Sequence, residues 1–566
     1  MLLLLAATVT LGLIGIQWGL PTSRRREMIL PGASTRQLQS IARASLDADD
    51  AAATQTDDTI SAAPATLKTY FRTLLYSYHP DEYLVLKALR GLPRLNPGVY
   101  RYGGPMLFGT ALFIAGGSAV GLIEVTGDAA WYLEHPEQFG RFYLAARLFV
   151  VAMTVLLVYA AYRFGCLFGG EMFGLLTAAL VMVMPATVNW MHVAKPHLPA
   201  CAFVFLCAEM TLRYWRDPSG GRKWLVLAGL FSGLAAAMAL SFSFSLAMPV
   251  TAIVAARWRT PRAAIGHLVL AGLCFVIVVL ATNPWYVMQP MAVWAEVHEI
   301  SGDVADRYMS SAADGAMAEL VAKTARFFSL HLPRAMSWPV AVLGLVSLLA
   351  AVGNREARLL IPAWLLTVAG AVAAVGGSSD PTVARFALMP AVLLAPAIVG
   401  LVRCLVRRQW ATVLVTALLA AVVLTVWSVP YLAVYRSDSG PHSSRNEAAR
   451  SLVAVLNLDE HHAVPIEMGT IMPPAAYNLP PIPLSNCHLV PLSERRAPAD
   501  GSLPQYLLLD SNVVARCRDP WWEKHYVTVN RLPSESPDRR YSWDDAPMSM
   551  ADLRFFLLKR TDSAVR

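Results

Sequence analysis

The 566-residue chain is 56% hydrophobic and only 15% charged. That is too apolar for an ordinary soluble domain, and its apolar runs repeatedly approach the roughly 20 residues that cross a bilayer. The formal charge of +8 resembles a nucleic-acid signal, but the arginines sit in short loops between apolar runs, where they orient helices; no nucleic-acid partner is implied, and the lipid bilayer is.

Residues 2–20 form a charge-free apolar run without a basic leader or a clear small-residue cleavage site, and predict a retained first transmembrane helix over 1–20. A long polar loop follows. Its part from Gly32 to Thr66, rich in Ala, Ser, Thr and Asp, reads as a flexible insertion. The tetrad His79-Pro80-Asp81-Glu82 then puts two adjacent carboxylates in a polar stretch beside a membrane. Both cannot ionise cheaply near low dielectric, so one of them is a candidate base for an incoming hydroxyl. The structural alternative is a helix start, which Asp-Glu pairs commonly make.

Apolar runs recur near 105–123, 146–162, 172–188, 198–212, 224–240, 242–256, 264–282, 335–352, 359–376, 386–402 and 411–432. Four connecting loops carry the basic residues: Arg213 to Lys223, Arg257 to Arg262, Arg355 with Arg358, and Arg403 with Arg407 and Arg408. Two crossings separate each from the next, so all four are expected in the cytoplasm, with the loops near 189–197, 283–334 and 377–385 outside. The glycine-bearing run 105–123 decides where the carboxylates lie. If it crosses, they are cytoplasmic, as Arg24, Arg25 and Arg26 also suggest; if it lies in the outer interface, they face outward.

Residues 433–566 are a different kind of chain, with a helix candidate at 445–457 and strand-like runs at 505–510 and 525–530. They predict a soluble α/β domain on the outer face, either a stabilising appendage or an acceptor-binding lid with contacts at Tyr477-Asn478-Leu479-Pro480 and Trp521-Trp522. Cys166, Cys201, Cys207, Cys274 and Cys404 lie in or beside apolar segments and read as small hydrophobes, whereas Cys487 and Cys517 are placed to pair in an oxidising compartment.

The tetrad at 79–82, followed by Leu95-Asn96-Pro97 and Tyr100-Arg101-Tyr102-Gly103, resembles the first outer loop of the C-type (GT-C) integral-membrane glycosyltransferases. The closer similarity is to the branch holding the protein mannosyltransferases and the aminoarabinose transferases (glycosyltransferase family 39-like). Ala146-Arg147-Leu148, Tyr162-Arg163-Phe164-Gly165, the His192 loop, Gly229-Leu230-Phe231-Ser232-Gly233, Thr282-Asn283-Pro284-Trp285 and Arg385-Phe386 continue it in order. The resemblance implies a mainly α, polytopic GT-C fold of about 11 transmembrane helices plus the C-terminal α/β domain. The expected divisions are an outer loop over 21–145 with interfacial helices, a transmembrane bundle over 146–432 and the outer domain over 433–566.

It further implies an inverting transfer from a polyprenyl-phosphate-linked sugar to a hydroxyl of a protein or of an envelope glycan or lipid, at the outer face of the cell (inner) membrane. Asp81 is the expected base and Glu82 its partner. His79, Tyr102, Arg147, His192, Lys195, His197 and Arg385 are the candidates for donor phosphate or substrate, since developing phosphate charge needs cations. Snorkelling anchors are the alternative reading of Arg147, Lys195 and Arg385.

Two departures stand out. His197 occupies a position where the family commonly has Asp, and Leu240-Ser241-Phe242 stands where a Lys-Tyr pair is common. A divalent metal is therefore an open cofactor, with the metal ligands unassigned, and a non-catalytic binding or scaffold protein on the same fold is the first rival. A transporter is the second, disfavoured because few ionisable residues fall well inside the spans and no internal repeat is apparent.

Overall fold

Helix follows the apolar pattern. A computed structural model describes residues 1–47, 63–64, 67–218, 221–308, 316–376, 381–456, 466–470, 480–483, 487–491, 503–510, 514, 520–532 and 554–561. Every run expected to cross coincides with a helix: Leu2–Leu13, the two halves of Pro136–Val183, His197–Arg216, Arg222–Met238, Ala247–Arg257, Pro261–Thr282, Trp338–Gly353, Ile361–Val375, Leu388–Val406 and Gln409–Val423. Among the described residues, six helical segments are long and apolar enough to cross a membrane. A seventh results if Met317–Met336 and Trp338–Gly353, bent by 114° about Ser337, form one broken span. The chain is a multi-pass membrane protein, mainly α-helical with a small β-sheet.

The sequence expectations need adjusting in three places. The first apolar run is helical only over Leu2–Leu13, because Gly15 turns the chain at φ +72. Twelve residues rise about 18 Å, short of the roughly 30 Å hydrocarbon core. The stretch read as a flexible insertion holds the amphipathic helix Thr35–Asp47, whose Leu38, Ile41 and Ala42 are buried; spacings of three and four put these side chains on one face, a pattern that the polar composition hid. The presumed loop 283–334 contains the helices Trp285–Met288, Pro290–Tyr308 and Ala316–Arg326.

The chain forms two units. The first comprises Met1–Ile14, Leu84–Phe113 and Ala146–Leu432; the second comprises Gly15–Tyr83, Ile114–Ala145 and Ala433–Arg566. In the first, the four basic loops meet. Arg216 pairs with Glu356 at 2.7 Å and also donates to the carbonyl of Leu167, Arg257 donates to the carbonyl of Pro218, and the Arg403 guanidinium lies against Gly169. Glu209, 1% exposed, is held close by between Arg163 at 2.9 Å and Arg213 at 2.8 Å, so a carboxylate inside a helix bundle has two cationic partners.

In the second unit a six-stranded sheet runs in the order β1-β3-β2-β4-β6-β5, with β1 Ala63–Pro64, β2 Ile466–Thr470, β3 Cys487–Pro491, β4 Tyr506–Asp510, β5 Tyr526–Leu532 and β6 Phe555–Arg560. β2 is parallel to β3 and β4, whereas β6 is antiparallel to β4 and β5. Alternation along the strands divides the core. Leu508, Leu532 and Leu557 meet the helices Thr35–Asp47, Leu67–Leu75 and Ser444–Leu456, while Leu507, Leu509 and Leu558 pack with Trp521, Trp522 and Tyr526. The tryptophan pair read as a lid contact is therefore core. Cys517 and Tyr477 to Leu479 lie outside the described residues.

Candidate active site

Pro80 opens the helix Pro80–Gly91 with Asp81 and Glu82 in its first turn, where proline needs no amide hydrogen and the helix dipole favours negative charge. The helix start and the carboxylate pair are thus the same feature. The two acids have different surroundings. Glu82 is fully buried and accepts from the Ser77 hydroxyl at 2.7 Å, whereas Asp81 is half-buried. His79, itself buried, accepts the Asp81 backbone N–H on Nδ1 at 3.3 Å, so the turn holds its imidazole with that nitrogen as acceptor.

The strand of chain leading into this turn is anchored from behind. The Tyr78 ring lies between two guanidinium groups, Arg25 at 4.3 Å and Arg445 at 4.0 Å from its centroid. Arg445 pairs with Asp438 at 3.3 Å with both side chains fully buried, and Arg25 donates to the carbonyl of Tyr76 at 2.8 Å. Burial pushes the Arg25 pKa down and the Tyr78 pKa up. Tyr76 stacks on Tyr83 at 3.5 Å. Sequence reasoning missed this cluster because it read Arg24, Arg25 and Arg26 as a topology signal. Arg25 is 3% exposed, and Arg26 donates to the carbonyl of Glu134 at 2.7 Å. Side chains committed to a folded core are poor counters for the positive-inside rule.

In the first unit, Tyr102 is buried in a segment whose neighbours are all fixed. Arg101 pairs with Glu296 at 2.6 Å, the Tyr100 hydroxyl lies 2.9 Å from Asn96 Oδ1 and also meets the Gln289 side chain, and the Gly104 N–H donates to Asn283 Oδ1 at 2.7 Å. Three of the motifs that carried the resemblance, around 96, 100–103 and 282–285, therefore converge.

Arg147 is fully buried in Pro136–Val183 and electrostatically coupled to His192. His192 has Nδ1 2.7 Å from the carbonyl of Val188 and Nε2 2.9 Å from that of Ile14. Burial drives its pKa down to about 4, with Arg147 adding to the fall against the two carbonyls, which favour the cation. Both ring nitrogens face backbone carbonyls, a clamp between two segments of the unit. Lys195 is buried with Nζ 5.3 Å from the Trp190 ring. His197 starts the helix His197–Arg216 and meets Phe386 edge-on at 5.5 Å, and Arg385 lies 5.0 Å from the same ring.

Phe242 also packs on His197, at 6.2 Å. The two departures from the family pattern, 45 residues apart in sequence, are thus neighbours. Among the described residues, no three His, Cys, Asp or Glu side chains come together as a metal site would need.

The site residues fall into two sets: His79, Asp81 and Glu82 in the second unit, and Tyr102, Arg147, His192, Lys195, His197 and Arg385 in the first. No protein-family model and no curated protein sequence matches the chain. Solved structures with some likeness include the archaeal oligosaccharyltransferase AglB from Archaeoglobus fulgidus with an inhibitory peptide and a dolichol-phosphate (10% identity, 80% of this chain and 69% of that one, TM-score 0.41). The Archaeoglobus fulgidus oligosaccharyltransferase tethered to an acceptor peptide gives 11% identity over 87% and 72%, with TM-score 0.43. ArnT from Cupriavidus metallidurans bound to undecaprenyl phosphate gives 12% identity over 84% and 98%, with TM-score 0.37.

Proposed function

We propose that this protein is an integral-membrane glycosyltransferase that moves a sugar from a polyprenyl-phosphate donor to a hydroxyl of a protein or of an envelope glycan or lipid. Asp81 takes the hydroxyl proton, the acceptor oxygen bonds to the anomeric carbon, and the bond from that carbon to the phosphate oxygen breaks. Polyprenyl phosphate leaves with the electron pair, and the anomeric configuration inverts. The observation that carries this reading is the unequal pair at the head of Pro80–Gly91. Glu82 is buried and held by Ser77, while half-buried Asp81 sits beside it in the same first turn. An accessible carboxylate on a fixed turn is what a general base requires.

The leaving phosphate needs cationic neighbours. We assign that role to Lys195 and Arg385, with Tyr102, Arg147, His79, His192 and His197 as candidates for orienting donor or substrate. The convergence of the four basic loops supports an orientation with those loops in the cytoplasm, and the engagement of Arg25 and Arg26 in the fold weakens the charge argument for putting the carboxylates there. The proposed location is accordingly the cell (inner) membrane, with chemistry at its outer face. The two departures, His197 for the Asp and Leu240-Ser241-Phe242 for the Lys-Tyr pair that the resemblance leads one to expect, favour one second reading, a non-catalytic binder on the same fold.

Incubation of the purified protein with a panel of labelled polyprenyl-phosphate sugars and native envelope extract tests the reading. Label appearing in an acceptor with inverted anomeric configuration supports it. No transfer from any donor, with binding of one of them retained, selects the non-catalytic reading.

A further inference from the structure

Where the basic loops of the first unit meet, its helices leave a cavity of about 280 Å³. The walls are apolar, with Phe168, Phe173, Trp364, Leu393, Pro396 and Leu401 among them, and Asn354 and Arg403 also line it. Two local features shape the slot. Helix Pro136–Val183 breaks at Gly169 and Gly170, where Gly170 takes φ 78, a left-handed conformation costly for other residues. The break sets the rings of Phe168 and Phe173 6.2 Å apart on the groove wall. Opposite, Gly400 presents no side chain to Phe173, whose ring would lie 4.0 Å from a Cβ there.

The polar residues contrast with their surroundings. Arg216, Arg163 and Arg213 have carboxylate partners, but Arg403 is exposed and, among the described residues, in no ion pair. Asn354 uses Oδ1 to accept the backbone N–H groups of Glu356 and Ala357 at 2.9 and 3.2 Å, which leaves its amide donors available. An apolar slot lined also by a guanidinium and an amide complements an amphiphile with an anionic head. The volume lies under the roughly 300–1,000 Å³ of a small-molecule pocket, which suits part of an alkyl chain better than a compact ligand. Basic pockets between membrane helices on the side of positive loops meet the anionic leaflet.

We propose that this groove binds one anionic phospholipid, with an acyl chain in the apolar slot and the phosphodiester on Arg403 and Asn354. The site is independent of the transfer reading.

Native mass spectrometry of the full-length protein, delipidated and titrated with phosphatidylglycerol or phosphatidylcholine, tests it. The expected result is one tightly held phosphatidylglycerol, with weaker binding of phosphatidylcholine. Arg403→Gln should weaken it about fivefold, the effect of losing one basic side chain near an anionic group. Gly400→Leu, which fills the slot and keeps the charge, should weaken it too. A second measurement needs no variant: Cys404 is exposed and lines the groove, so phosphatidylglycerol should slow its alkylation in the wild-type protein. Equal retention of phosphatidylcholine, or an unchanged Cys404 alkylation rate, would each overturn the proposal.

Discussion

Replacing Arg445 with Met removes the guanidinium that neutralises Asp438 and covers one face of Tyr78. Both charged side chains are fully buried and 3.3 Å apart, so the variant leaves a carboxylate in low dielectric without its arginine. Breaking one partner of such a pair costs about 3–5 kcal/mol, more than the net worth of the pair itself, because the remaining charge stays desolvated. Loss of the cation–π contact at 4.0 Å adds to this.

The assay is amide hydrogen exchange of the full chain in detergent, followed in the helix Ser444–Leu456, which packs against the sheet of the second unit. At about 1.4 kcal/mol per factor of ten, protection there should fall by at least roughly a hundredfold. Removing both charges, with Arg445→Met and Asp438→Leu together, should recover much of it, since a buried pair replaced by apolar groups is often neutral. Wild-type protection in the single variant, or a double variant worse than the single, would refute the reasoning.

Ser77→Ala deprives buried Glu82 of a hydroxyl donor and should cost about 1–3 kcal/mol, read as a lower unfolding midpoint, while Ser77→Thr should retain most of it. His192 gives a pH dependence: its folded pKa of about 4 lies below the ordinary 6.5, so the unfolded chain binds the proton more readily. Stability should be fully present above pH about 6.5 and fall as the pH drops toward 4, and His192→Gln should flatten that part of the curve in a denaturation series. Phe242→Ala removes a ring from His197 and should loosen the start of His197–Arg216, seen as faster exchange of its first-turn amides than in Phe242→Leu.

Much of the helical architecture was legible because period and length of apolar runs are strong signals: each predicted span met a helix, and the strand-like runs 505–510 and 525–530 correspond to β4 and β5. The misreadings have physical causes. Composition hid the apolar face of Thr35–Asp47, since Leu38 and Ile41 are diluted by Ala, Ser and Arg over a polar stretch. Left-handed Gly15 shortened the first helix despite an unbroken apolar run.

In the candidate site, the Asp81–Glu82 pair was visible as a dipeptide, but its asymmetry was not, because Ser77 and the burial of Glu82 depend on tertiary packing. The Arg25–Tyr78–Arg445 stack joins residues up to 420 positions apart, beyond any local pattern. The contact of His197 with Phe242 was likewise invisible, because 45 residues separate them in the chain.

Rates of sugar release from the active donor by wild type, Asp81→Asn and Glu82→Gln, each shown folded by its unfolding midpoint, test the assignment of the base most directly. The account predicts that Asp81→Asn lowers release by about 10²–10⁴-fold with donor binding kept, the usual range for losing a general base. Equal release by wild type and Asp81→Asn would contradict it.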